Sequence, residues 1–207
     1  MNSENNAVAT PVQSVVMPSG RSIVGDRPEG RPEDDFYPTP FPVTEALLQV
    51  ESFGRDIWEP ACGDGAICKV LESAGHHVAA SDLMDRGFGE TGVNYFDVSK
   101  APARQMITNP PFVLAEDWVK HAKELKVEKF ALLVKLAFLE GVERSRLLQD
   151  SGLSRVWVFK RRVTFTRNGE EQRGTGMIAF AWFVWDKHGG PPTVGWIDHT
   201  KTGPMLF

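Results

Sequence analysis

The sequence predicts an α/β protein built on a doubly wound, mostly parallel sheet, with an antiparallel strand added at its end. Three observations carry this expectation. From Pro42 onward, short apolar strand patterns alternate with helical ones, the arrangement that right-handed β-α-β crossovers produce. A glycine-bearing turn, Glu59-Pro60-Ala61-Cys62-Gly63-Asp64-Gly65, stands where the first strand gives way to a helix. The last two strand patterns are separated by a turn-rich loop with no helix in it, which reverses the chain direction.

The elements follow in order. Val43, Ala46, Leu47 and Val50 lie on one helical face, with Thr44 as the expected cap. Asp56 to Trp58 forms a short buried strand that leads into the glycine turn. Ile67, Val70 and Leu71 stripe the next helix, which Gly75 stops. His77 to Ser81 is the second strand, and Gln105 to Thr108 is a short one ended by Asn109-Pro110-Pro111. A helix from Leu114 to Leu125, a strand from Phe130 to Val134 and a helix near Gly141 to Gln149 complete the alternation. Val156 to Phe159, Val163 to Phe165 and the apolar run Met177 to Trp185 are rich in β-formers. Half of the 14 prolines precede Val43, and residues 1–33 show no sustained period. They are read as a flexible N-terminal arm, followed by one domain over 34–186 and a C-terminal tail over 187–207.

With 207 residues, 42% hydrophobic and 24% charged, the chain has the balance of one globular domain with a sizeable core. A disordered chain, a collagen-like repeat and a disulfide-stapled miniprotein are excluded. No apolar run reaches about 18 residues, so no membrane partner is expected. The polar N-terminus lacks the basic and apolar regions of a signal peptide, so the expected location is cytoplasmic. The net charge of −4 argues against gripping nucleic acid by bulk charge, and any basic footprint must be local. Cys62 and Cys68 read as packing residues, and His76 and His77 face opposite sides of a strand. No metal site is expected.

Glycines let backbone amides approach a ligand closely, and the helix that follows favours negative charge. Asp82, at the end of the second strand, stands where a carboxylate can hold both hydroxyls of a ribose. The turn is not G-x-G-x-x-G, so the dinucleotide fingerprint of nicotinamide enzymes is not matched. Asn109-Pro110-Pro111-Phe112 follows a short apolar strand and belongs at the carboxyl edge of the sheet. The Asn109 amide oxygen and the Pro110 carbonyl are placed to accept both hydrogens of a planar amino group. That frees the nitrogen lone pair for an electrophile, while Phe112 offers a flat face to a base or amide.

Together these residues resemble the class I S-adenosylmethionine-dependent methyltransferases, in their amino-methylating, N-P-P-F branch. Within that branch the chain is most similar to small phage-type and bacterial adenine-specific DNA methyltransferases. The resemblance covers Asp34 to about Asp186. It implies a seven-stranded Rossmann-like sheet of order 3-2-1-4-5-7-6 and S-adenosylmethionine as cofactor. It also implies methyl transfer to an exocyclic amine, with N6 of adenine in DNA first. By the same resemblance Tyr37, Thr39 and Pro40 close over the methionine end, and Glu59, Ala61, Gly63 and Gly65 surround it. Asp82 takes the ribose, Asp97 takes the cofactor adenine, and Asn109, Pro110, Pro111 and Phe112 form the transfer motif. Many DNA adenine enzymes carry Asp and Tyr where this chain has Asn109 and Phe112. The Asn/Phe form also occurs among enzymes acting on adenine in RNA and on glutamine in proteins, so these acceptors stay open. A non-catalytic S-adenosylmethionine- or nucleic-acid-binding module is the alternative from another class.

Nucleic acid, DNA first and RNA second, is the expected partner, through a basic strip from Arg155 to Arg173 (Arg155, Lys160, Arg161, Arg162, Arg167, Arg173). Thr166 to Gly176 is the expected target-contact loop, and Asp85 to Gly92 an expected mobile cover. Lys135 reads as a surface or helix-capping residue, and Trp182 and Trp185 as core. The sequence leaves the oligomeric state open.

Overall fold

The computed structural model describes residues 36–167, 170–171 and 178–200. The chain divides into two units, Met1–Phe36 and Tyr37–Phe207, and the fold below is that of the second.

The first helix, α1 (Phe41–Leu48), begins with Pro42 in its first turn, where the missing N–H costs nothing. Pro40 takes the cap position, and its carbonyl accepts from the Val43 amide at 2.9 Å. Thr44, expected as the cap, therefore lies inside the helix and is buried with Val43, Ala46 and Leu47. The other helices are α2 (Ala66–Ser73), α3 (Ala115–Glu124) and α4 (Val142–Asp150). Gly75, at φ 89°, ends α2 as expected. Its amide bonds to Glu72 O and that of His76 to Leu71 O, both at 3.0 Å, the paired bonds of a left-handed helix stop.

Eight strands form one sheet: β1 (Asp56–Glu59), β2 (His77–Asp82), β3 (Glu90–Thr91), β4 (Gln105–Thr108), β5 (Lys129–Lys135), β6 (Leu153–Phe159), β7 (Phe180–Asp186) and β8 (Thr193–Ile197). Their order is β3-β2-β1-β4-β5-β7-β6-β8. Every neighbouring pair is parallel except β7 with β5 and with β6. The expected order of seven is therefore observed, with one more strand at the edge. β8 falls in the stretch read as tail and is parallel to β6. It was missed because it is short, half exposed and interrupted by Gly195. That glycine is required, since a Cβ there would lie 2.2 Å from the Trp157 ring.

β7 is apolar without alternation because both of its faces are buried, and as a central strand it sets Phe183 level with Leu132 of β5 and Val156 of β6. Trp182 and Trp185 are core residues, donating to Val43 O at 2.9 Å and Ser151 Oγ at 2.8 Å. Val163 to Phe165, expected as strand, joins no ladder; Val163 and Phe165 are instead buried in the core. The short ladder nearby pairs Thr166–Arg167 with Glu170–Glu171. None of the described helices is long and apolar enough to cross a membrane.

The amino edge of the sheet is braced by charge. Glu51, after α1, accepts from Lys129 Nζ at 2.7 Å, from Arg155 Nη2 at 2.9 Å and from Trp157 Nε1 at 2.8 Å. Arg155 also pairs with Asp186 at 2.9 Å. Burial alone would raise both carboxyls. The hydrogen bonds from Arg155, with those of Lys129 and Trp157 to Glu51, outweigh it and hold both below their ordinary values of 4.5 and 3.8. Their contribution to stability is thus present above these values and lost as pH falls below them. Glu51→Leu is expected to cost about 2–3 kcal/mol in urea unfolding, because it leaves Asp186 as the one carboxylate facing two partly buried cations. It should also flatten the loss of stability between pH 5 and 3. Unchanged unfolding midpoints would show the brace to be dispensable.

Candidate active site at the carboxyl edge of the sheet

Parallel strands bring their carboxyl ends to one edge, so Glu59, Asp82, Thr108, Lys135 and Phe159 end on the same side of the sheet. The glycine turn occupies this edge between β1 and α2. Gly63 and Gly65 have φ of 56° and 81°, a region that strains any side chain. Asp82 accepts from the Gly63 amide and from the Met84 amide, each at 2.8 Å, which ties the end of β2 to the turn. Phe88, in the loop after β2, packs on Gly65: a Cβ there would lie 2.5 Å from its ring. Cys62 is buried beneath this loop, and burial pushes its thiol up to about 12, which makes it a packing residue. Asp97 is exposed, in a short 3-10 turn capped by Asn94, whose side chain also donates to Asp97 Oδ2 at 3.1 Å.

Glu59 is fully buried, and its Oε1 accepts from the Ala61 amide at 3.0 Å. Burial is the largest influence on this carboxyl and raises it to about 8, and the nearby charge of Asp82 adds to the effect. The Ala61 amide opposes it, as does the Thr108 hydroxyl, which is close but not aligned for a hydrogen bond.

The Asn109 side chain crosses to a segment some seventy residues earlier. Its Nδ2 donates to Thr39 Oγ1 at 3.0 Å and to the Tyr37 carbonyl at 3.3 Å. A carbonyl can only accept, so the amide nitrogen is fixed toward Tyr37, and Oδ1 points the other way. Pro40 caps α1, and Pro111 begins a turn in which its carbonyl accepts from the Leu114 amide at 2.9 Å; Pro110 is buried. Phe112 stacks on Tyr37 at 6.3 Å and leans on Phe180 at 5.2 Å, and Phe165 completes the aromatic group against Tyr37 and Phe180.

Three buried oxygens at the ends of the adjacent strands β1 and β4 have no hydrogen-bond partner among the described residues: Glu59 Oε2, Thr108 Oγ1 and Asn109 Oδ1. Each such group costs about 1–3 kcal/mol, so their concentration marks a place built to receive donors. An ammonium and an amino group fit this set.

Of the sequence-derived residues, Glu59, Gly63, Gly65, Asp82 and Asn109 lie at this edge, with Asn109, Thr39, Tyr37 and Phe112 in direct contact and Asp82 bonded to Gly63. Arg155 is a correction: it belongs to the amino-edge brace and is spent on Glu51 and Asp186. Lys160, Arg161 and Arg162 follow β6 and are exposed at the carboxyl edge, while Arg173 lies outside the described residues. Thr108, Phe88, Phe165 and Phe180 were not singled out; three are buried, Phe88 lies in a loop, and their roles are visible only in three dimensions.

No protein-family model matches this sequence, and no curated protein matches it. Solved structures do. A type I restriction-modification methyltransferase subunit from Streptococcus thermophilus superimposes with a TM-score of 0.57 at 11% identity, covering 78% of this chain. A Pyrococcus horikoshii protein assigned as an RNA methyltransferase gives 0.52 at 11% identity, over 70% of this chain and 81% of that one. This is a methyltransferase fold. A Lactococcus lactis protein assigned as a hemolysin shares it, with a TM-score of 0.53 at 14% identity, over 75% of this chain and 91% of that one. The chain corresponds to 47% of the length of the Streptococcus subunit. The methyltransferase fold alone therefore does not decide activity, which must be argued from the site.

The raised Glu59 carboxyl gives a test of the geometry. With a folded value of about 8 against an ordinary 4.5, the folded protein holds a proton that the unfolded chain releases. Without bound ligand its stability should fall as pH rises from about 4.5 to 8. Glu59→Gln should remove that slope, read as thermal midpoints from pH 5 to 8.5. Parallel profiles for the two proteins would contradict the burial argument.

Proposed function

We propose that this chain is an S-adenosylmethionine-dependent N-methyltransferase acting on an exocyclic amine, with N6 of adenine in DNA as its acceptor. The observation that carries the proposal is Asn109, whose nitrogen is pinned and whose buried oxygen is unpartnered, beside the aromatic face of Phe112. Tyr37, Thr39, Pro40, Glu59, Ala61, Gly63 and Gly65 would hold the methionine end of the cofactor, Asp82 its ribose and Asp97 its adenine. The open Glu59 oxygen suits an ammonium group, which would also draw this carboxyl to its charged form.

When bound, the cofactor supplies a sulfonium methyl: a nitrogen–carbon bond forms as the carbon–sulfur bond breaks, and the amine proton leaves to solvent. The protein's part is orientation. Asn109 Oδ1 and the Pro110 carbonyl accept the two amine hydrogens and turn the nitrogen lone pair outward, and no general base is required. In a duplex the adenine would be flipped out to lie on Phe112.

The test offers labelled cofactor to DNA, RNA and protein fractions. Label on DNA adenine is expected, and label confined to protein would replace this acceptor with a glutamine side chain. Asn109→Ala should lower turnover by about 10²-fold or more, and because it also releases Thr39 and Tyr37 it should weaken calorimetric affinity for S-adenosylmethionine by a much smaller factor. A loss of affinity as large as the loss of turnover would mean that Asn109 serves the cofactor and not the amine.

A further inference from the structure

We propose that Lys135 is the phosphate anchor on the acceptor side, its ammonium holding a phosphate oxygen of the nucleotide whose base lies on Phe112. The inference rests on the nucleic-acid reading above and names a residue outside the N-P-P-F motif. Lys135 is the last residue of β5, the strand beside β4. Thr108 pairs with Leu132, and continuing that register sets Lys135 level with Pro111, within the transfer motif.

The side chain has no structural task that accounts for it. Lys135 stands at the cap of the short 3-10 turn Leu136–Leu139, yet makes no side-chain capping bond. Among the described residues it has no ion-pair partner, unlike Lys129 at the other end of the same strand, which is held by Glu51. Instead its Nζ lies 5.3 Å from the centre of the Phe112 ring, and the side chain is half buried. A half-buried cation over an aromatic ring, with no counter-ion among the described residues, is a place for an anion. The ring quadrupole attracts the ammonium by about 0.5–2 kcal/mol and leaves its three donors to give.

Charge on the same edge agrees. Beyond β5 and β7, the end of β6 carries Lys160, Arg161 and Arg162, all exposed. A strand backbone entering over these residues would bring one phosphate to Lys135 as its base reaches Phe112. In a chain of net charge −4 such a local track is how a polyanion can be held.

The experiment uses the full chain, a fluorescein-labelled adenine-containing DNA duplex and anisotropy titrations over a range of salt concentrations. Lys135→Met should weaken DNA binding severalfold and reduce the slope of log affinity against log salt by about 0.7–0.9, the loss of one phosphate contact. Lys135→Arg should restore both, and S-adenosylmethionine affinity by calorimetry should stay within about twofold in each variant. Wild-type slope in Lys135→Met, or failure of Arg to restore binding, would overturn the proposal and leave Lys135 as a support for the Phe112 ring. If the wild-type protein methylates DNA and the slope is unmoved, only this inference falls. If it neither binds nor methylates DNA, the nucleic-acid reading falls with it.

Discussion

The candidate site depends on two hydrogen bonds from one amide. Asn109 Nδ2 reaches Thr39 Oγ1 and the Tyr37 carbonyl, joining the end of β4 to the segment before α1. Without them Asn109 would be a polar residue after a short strand, free to present either its oxygen or its nitrogen. With them the nitrogen is committed, and the oxygen is held, buried, where no donor from the described residues reaches it. The same contact brings Tyr37 against Phe112, so the platform and the acceptor oxygen are set by one arrangement.

The sheet keeps its two edges for different work. At the amino edge Glu51, Lys129, Arg155, Asp186 and Trp157 satisfy one another. At the carboxyl edge buried oxygens have no hydrogen-bond partner among the described residues, and a half-buried ammonium lies over the Phe112 ring. Unsatisfied groups cost stability, and the apolar interior of β5 and β7 offsets that cost. β7 runs antiparallel between β5 and β6, which fills the core and brings its amino end, with Phe180, to the active edge in place of a further carboxyl end.

Much of this was legible in the sequence because periodicity and turn chemistry are local. The glycine turn, Asp82, Gly75 and N-P-P-F each announce themselves within a few residues, and the strand order followed from the family resemblance. What was not legible is what depends on distant partners. β8 hides because an edge strand carries little apolar signal, and its Gly195 makes sense only under Trp157. Arg155 looked like part of a basic strip because its partners, Glu51 and Asp186, are 104 and 31 residues away. Lys135 looked like a surface cation for the opposite reason: sequence shows the charge and the strand end, but not the ring beneath it. Thr44 was misplaced because Pro42 starts α1 a turn earlier than the cap pattern suggests.

The central claim is that the pinned Asn109 amide serves methyl transfer to an exocyclic nitrogen of a base. The most direct measurement is mass spectrometry of nucleosides from the DNA of cells expressing the protein, compared with cells expressing its Asn109→Ala variant. The account predicts N6-methyladenine in the first and its absence in the second. Equal nucleoside profiles, or a methyl group found on an oxygen or carbon atom, would contradict it.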